Sequence, residues 1–363
     1  MELSINYVVN NTRVRMMSLA DNIVFEADLN TDICRVIGFY EAGSFSSYCY
    51  CCQIGDYFLA APSAINDFIV MDKEYRWKRI PVEDRIGKFK IQADLKTWTA
   101  FGNDHYAWKA GFTYPAILKA DLENGKVEYI TNWLKDVENK SLRAENSAYF
   151  GNGYFIQGEK LILPLFCCPG LLELNMNSYD YELHMFDSKY IGFRTLSGDN
   201  EFWIETIQGS VICISKEWKI KAEISNLDIH ARGSFVGGYW RPVLTDSTVY
   251  LFPYNTKGIM EIDRYSYEVK PSILNKMING NEEYVDTTSE VEIIDNILYF
   301  YAHYSGEDGF FVYDLNNKHL KRHSFIFEEA DVRRIIREKY QHNKIISESD
   351  ISTLLCFVQE LLI

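Results

Sequence analysis

The sequence predicts an all-β protein, a seven-bladed β-propeller of four-stranded antiparallel blades with a short C-terminal helical appendage. Three observations predict it. A short apolar strand runs into a polar corner at Asp28, Asp72, Asp121, Asn175, Ser215, Asp263 and Asp314, and successive corners lie 40 to 54 residues apart. That spacing is close to the period of about 40–50 residues of propeller blades. A second turn signal precedes each corner, at Asn11, Asp56, Asn103, Gly158, Asp199, Asp246 and Asp295, always 16 to 19 residues before it. The hydrophobic period then changes from two to helical after residue 327.

The unit is clearest at 245–269, TDSTVYLFPYNTKGIMEIDRYSYEV, which reads turn, strand, loop, strand, acidic turn, strand. An apolar strand also precedes each first turn, so a blade has four strands, A to D. Strand A is expected at 5–9, 50–53, 98–101, 154–157, 193–196, 240–244 and 291–294. Strand B is expected at 14–17, 57–60, 106–110, 161–165, 202–206, 249–252 and 297–301. Strand D, as at 127–130 and 320–325, is less apolar, which suits an outer strand that meets water.

In such a blade the A–B and C–D turns lie on one face of the disc, and the B–C loops and D–A connections on the other. The first face carries short Gly, Asp and Asn turns. The second carries the irregular segments 39–47, 82–88, 131–147, 224–236 and 271–290, with short helices expected at 131–137 and at 271–278, where Pro271 would take a first helical position. Function usually concentrates in such loops.

The propeller is expected to span 1–327 and the appendage 328–363. The appendage divides into a helix at 328–340, acidic at its start and basic at its end, and a second helix capped by Ser347 or Ser349. Ile351, Leu354, Leu355, Val358, Leu361 and Leu362 form one apolar stripe on the second helix. Because the residues before Asp28 already supply strands A and B, all seven blades look whole, and the seam between first and last blade is expected to lack strand exchange. The apolar helix then has two destinations: its own ring, as a clamp on the seam, or a second subunit.

The chain has 363 residues, 47% of them hydrophobic, enough to bury a large core. Its net charge of −14 argues against nucleic acid and anionic membrane as partners. No basic segment followed by an apolar run opens the chain, and no apolar stretch reaches the ~18 residues of a membrane span, so a cytoplasmic location is expected. The 8 cysteines, crowded at Cys49, Cys51 and Cys52 and at Cys167-Cys168, form no regular disulfide framework, and Cys49 and Cys51 alternate with Cys52 across a strand, so the three cannot converge on a metal. Buried free thiols, no metal and no cofactor are expected.

The corner signature, an apolar strand into Asp, a four-residue turn and another apolar strand, resembles the broad repeat of kelch-like and quinoprotein-like proteins. Ala120-Asp121-Leu122-Glu123-Asn124-Gly125-Lys126 is most similar to the quinoprotein form. Kelch glycine pairs on strand B, the WD40 Trp-Asp pair and the quinoprotein Trp after Gly-Lys are missing. The resemblance implies the architecture of residues 1 to 327 and transfers no catalytic residue.

Candidate ligand-binding residues are Tyr114, Tyr254, His303 and Tyr304 in B–C loops and Trp240 and Arg241 near the start of strand A of the sixth blade, all on the irregular face. Aromatic rings with an Arg and a His suit a sugar or a peptide; the competing reading is that the rings plug the crowded inner rim. Glu201 and Glu205 share a strand face and invite a carboxylate-pair reading, but no cleft is apparent around them. His319 and His323 are expected to be solvated on an outer strand, and His105 to be structural. With no nucleophile, metal or phosphate motif, the expected function is a non-catalytic platform presenting its irregular face to a protein or peptide. The alternative is binding or processing of a carbohydrate-like molecule at the aromatic loops.

Overall fold

The structure, a computed structural model, describes residues 7–18, 23–39, 49–62, 67–83, 85–86, 97–142, 148–225, 227, 238–254, 258–280, 286–287, 290–304 and 307–341. Seven antiparallel four-stranded blades stand in a ring, each with strand order A-B-C-D. The A strands are Val8–Asn10, Cys49–Ile54, Thr97–Asn103, Phe155–Gln157, Phe193–Gly198, Val243–Leu244 and Glu292–Ile294. They contact one another around the axis and line the central channel. Strand B of blade 5, Glu201–Thr206, is buried at every residue, whereas its strand D, Ile220–Ile224, is mostly exposed. The burial gradient thus runs outward, as the apolar gradient of the sequence requires.

The polar corners share one geometry. At every one of the seven, the side-chain oxygen of the corner residue accepts a hydrogen bond from the backbone N–H two residues on, at 2.8–3.3 Å. Each turn then closes through a left-handed residue: Asp32, Tyr75, Gly125, Tyr179, Trp218, Tyr267 and Lys318. This is the local bonding that makes Asp, Asn and Ser turn formers. A left-handed conformation costs a non-glycine residue roughly 1–2 kcal/mol, and packing between blades offsets it. Trp218 stacks on His184 of the preceding blade at 3.7 Å, and Tyr179 Oη donates to Glu128 of the preceding blade at 2.9 Å.

Among the described residues three α-helices decorate the ring: α1 (Leu134–Lys140), α2 (Ile273–Asn279) and α3 (Glu329–Gln341). The first begins three residues later than the sequence suggests. In α2, Ser272 is the cap, its side chain accepting from Leu274 N–H, so Pro271 precedes the helix and ends strand D of blade 6 instead. Strand A of blade 6 shrinks to Val243–Leu244, because Pro242 has no N–H for the ladder and Trp240 leaves the sheet.

The expectation of a seam without strand exchange is overturned. Ile326–Phe327 adds a fifth strand, parallel, to the outer edge of blade 1, pairing with Ile33 and Cys34. Beside it His323 Nδ1 meets Asp32 Oδ1 at 2.6 Å, and Lys321 Nζ donates to Leu29 O at 3.1 Å. On the channel side, Tyr7 Oη donates to Tyr299 O and accepts from Glu292 N–H at 3.3 Å. Helix α3 follows the added strand at once and lies against blade 1, where Asp331 accepts from the buried Val36 N–H at 2.9 Å. Ile335 packs with Phe25 and Phe327 in the same cluster. The stripe from Ile351 to Leu362 lies outside the described residues.

Asp331→Ala should leave Val36 N–H without this acceptor and cost about 1–3 kcal/mol, measured as a lowered urea midpoint at constant slope. Ending the chain before Ile326 should cost more, because it removes both the strand and the helix. An unchanged midpoint in both would show that the seam is held by blade packing alone.

Candidate functional site

The candidate residues do not form one site. Trp240 is only 4% exposed, and its indole Nε1 donates to Thr287 O at 2.8 Å. Half-buried Tyr254 packs edge-on against it at 4.6 Å. These two belong to a raised layer over blades 6 and 7, in which Gly238–Tyr239 pairs with Pro253–Tyr254, and Asp286–Thr287 pairs with strand B of blade 7. Thr287 Oγ1 donates to Pro253 O at 2.5 Å and ties the two pairs together. His303 and Tyr304 end that strand B, Ile297–Tyr304, with the His303 backbone opposite Asp286 and Asp308; their side chains lie outside the described residues. Tyr114 sits apart in blade 3, only 2% exposed in the core. For Trp240 and Tyr114 the rim-packing reading is the one the burial matches, since neither offers a face to a ligand.

Arg241 points elsewhere, into the channel. Trp240 and Arg241 lie in the bend before strand A of blade 6, and the two side chains part there, the indole into the raised layer and the guanidinium to the channel. There it lines a cleft of about 450 Å³ with Tyr154, Ser197, Asp199, Val243, Glu292 and Ile294, among others. These residues come from the A strands and A–B turns of blades 4 to 7, and the cleft opens on the short-turn face. Arg241 Nε lies 3.8 Å from Glu290 Oε2, and its guanidinium sits over the Tyr154 ring at 5.8 Å. Asn152 Nδ2 donates to the other Glu290 oxygen. Asp199 is held by a two-pronged pair from Arg264 at 2.6 and 2.8 Å.

Burial opposes the charge on Arg241, but Glu290, Tyr154 and Glu292 keep its guanidinium more firmly protonated than usual. Burial pushes the Glu292 carboxyl up to about 7, against the pull of Arg241 and a backbone bond from Val9, and the charge of Glu290 adds to the rise. Burial also raises the Tyr154 phenol. Two carboxylates therefore face one guanidinium in a partly water-excluded channel. The signal was present in the sequence as charged residues at the starts of apolar inner strands, Glu290 and Glu292 in SEVEII and Arg241 in WRPVLT. Strand-face direction was what sequence reasoning could not assign.

The other candidates resolve into structural roles. Glu201 and Glu205 share a strand face with Trp203 between them, and Trp203 Nε1 donates to Glu201 at 3.1 Å. Glu201 also takes Lys221 and Arg264. Glu205 is wholly buried beside Arg194 at 3.5 Å, and the Gly238 backbone lies so close that a Cβ there would fall 2.2 Å from Glu205 Oε1. No substrate fits between two carboxylates packed in this way. Burial pushes the thiols of Cys34, Cys52 and Cys213 up to about 12, so they stay protonated. Cys51, Cys167 and Cys168 are likewise buried free thiols, while Cys49 and Cys356 are outside the residues whose side chains are described. His319 is exposed as expected, but His323 is only 2% exposed, because the fifth strand of blade 1 brings Asp32 against it. Glu173, Glu182 and His184 cluster on the outside of blade 4, yet the carboxylates address opposite ring nitrogens and Lys160 pairs with Glu173. An ion pair, rather than a shared metal position, accounts for that geometry.

The ring of seven four-stranded blades defines the chain as a β-propeller protein. Among solved structures it is similar to virginiamycin B lyase from Staphylococcus aureus, at 11% identity and a TM-score of 0.57, over 82% of this chain and 91% of that one. It is also similar to BamB from Moraxella catarrhalis, at 9% identity and a TM-score of 0.52 over 82% of each chain. A third likeness is to the dihydro-heme d1 dehydrogenase NirN, at 13% identity and a TM-score of 0.55, over 88% of this chain and 66% of that one. At such identities the likeness concerns the fold. No protein-family model matches the sequence, and no curated protein matches it.

Glu292 and Glu205, each held at about 7, bind a proton on folding that a free Glu, near 4.3, does not. Their contribution to stability is therefore greatest at low pH, declines as pH rises from about 4.5 to 7, and is flat above that. The melting temperature should fall between about pH 4.5 and 7. Glu205→Gln and Glu292→Gln should each flatten the profile, which differential scanning calorimetry across that range would measure.

Proposed function

We propose that the protein is a non-catalytic binding platform whose irregular face receives a protein or peptide partner. The observation that carries this reading is helix α2, which lies in the connection between blades 6 and 7 on that face. Leu274, Asn275 and Ile278 bury the helix, and Asn275 clasps the Ile259 backbone through both its amide atoms. Ile273 and Met277, one turn apart, are left 54% and 39% exposed. Residues four apart share a helix face, so the two form one apolar stripe on a rigidly held element. Leu142 and Ile191 are exposed on the same side of the ring, in the connections that flank blade 4. Large apolar groups exposed on a rigid element suit a partner that buries them.

The carbohydrate-like alternative draws less support from the geometry. It needs flat aromatic faces, and Trp240 and Tyr114 spend theirs in the core.

Replacing Ile273 and Met277 together with Glu should reduce capture of the partner at least tenfold, read by quantitative affinity capture followed by titration with the recovered partner. Tyr265→Ser, on the exposed corner of the opposite face, should leave capture unchanged. Equal loss from both variants would remove the case for a functional face.

A further inference from the structure

The channel cleft lies on the face opposite α2, and the partner reading does not use it. A second cleft, formed by described residues, opens on that face too. The second, about 500 Å³ between blades 1 and 2, is lined by charges that already answer one another: Arg13 and Arg15 on Glu26, and Lys73 on Asp56. In the channel cleft the Asp199 charge is met by Arg264 and the Glu290 charge by Arg241. Among the described residues this leaves the Glu292 carboxyl, which lines the same cleft with Tyr154 and Arg241 and lies close enough to Tyr7 of blade 1, Cys52 of blade 2 and Glu290 and Tyr299 of blade 7 for the charges to act on one another. Among these groups Arg241 is the cation, and both Glu290 and Glu292 act on it.

We propose that the channel cleft binds a small organic cation, with a protonated amine on the Glu292 carboxylate and hydroxyl or amide groups on the Tyr154 hydroxyl and the open backbone edges of the inner strands. Size fits this class. At roughly 30 Å³ for each water-sized group, a cleft of about 450 Å³ holds a molecule of about ten to fifteen non-hydrogen atoms. Ligand sites of this size commonly combine a shaped cavity with a few convergent polar groups. The donors and acceptors are fixed, because the A strands of blades 6 and 7 are end strands of their sheets, whereas the inner edge of blade 5 is already taken by Asn152. Chemistry selects the sign. An anion would face Glu292 and Glu290 across a channel that excludes water, whereas an ammonium completes the balance that Arg241 leaves open. The net charge of −14 adds a weak long-range attraction for cations. Because the carboxyl releases its proton to receive an ammonium, binding is tighter at pH 8 than at pH 6.

The test is calorimetric titration of the full chain with glucosamine, spermidine, glucose and succinate at about pH 8 and pH 6. Glucosamine differs from glucose by the amine, so at least one of the two amines should bind at pH 8 with at least tenfold preference over glucose and succinate, and more weakly at pH 6. Titration in two buffers of different ionisation enthalpy should reveal proton release. Glu292→Gln should remove the preference, Glu292→Asp should keep part of it, and Glu26→Gln in the other cleft should leave it intact. Equal affinity for glucose and glucosamine, tighter binding of succinate, no binding of either amine, or full amine affinity in a folded Glu292→Gln protein would each overturn the proposal. The Ile273 and Met277 double variant should bind the amine unchanged, so this result and the fate of the partner reading are separable.

Discussion

Closure of the ring is the constraint on which the other features depend. Blades 1 and 7 meet through contacts separated by 292 residues, such as Tyr7 on Tyr299 and Lys321 on Leu29. Bringing chain ends that far apart together costs on the order of 5 kcal/mol in loop entropy, and no local turn can repay it. The join is therefore fastened at both radii. Tyr7 bridges blade 7 on the inside, and Ile326–Phe327, His323 and α3 hold the rim on the outside. The inner fastening also shapes the cleft, since the Glu292 amide that bonds Tyr7 belongs to the residue whose carboxyl faces the axis.

Within the ring, stability is assembled from repeated local devices and non-repeated neighbours. The corner geometry is the same seven times because an Asp, Asn or Ser oxygen finds the second amide onward with little help from elsewhere. The left-handed closing residue is different in kind. Tyr179, Trp218 and Tyr267 would be strained in isolation, and each is accommodated by packing, Tyr179 on Glu128, Trp218 on His184 and Phe202, Tyr267 against Trp203. Corners thus act as cross-links between blades as well as turns within them.

The two faces divide the chemistry. Short turns leave room for clefts between strand ends, and the channel concentrates what charge the inner strands carry. The irregular side is built upward, with the layer from Gly238 to Thr287 and with helix α2, on which Ile273 and Met277 are exposed. The structures that share the fold include a lyase and a dehydrogenase, which fits the general rule that sites are grafted onto folds rather than dictated by them.

Turn chemistry and strand alternation are local, so the blade count, the corners and the radial gradient of burial could be read from residues alone. Asp28 to Asp314 announce themselves by type and spacing, and the helices at 134–140, 273–279 and 329–341 by the loss of period two. The candidate site was legible only in part. Arg241, Glu290 and Glu292 stand out as charges at the starts of apolar strands, but which way Arg241 faces depends on Pro242 ending the ladder beside it. Trp240 and Tyr254 could be placed on the irregular side, yet whether a ring is a platform or a plug depends on whether Thr287, 47 residues away, takes its indole hydrogen. The seam shows the same division. Ile326 and Phe327 are an ordinary apolar pair in sequence, and their role as a fifth strand exists only because the closed ring delivers the edge of blade 1, some 290 residues earlier, to their side. Short-range bonding fixes a turn wherever it occurs, whereas pairing across the ring is decided by which surfaces the whole chain has already brought together.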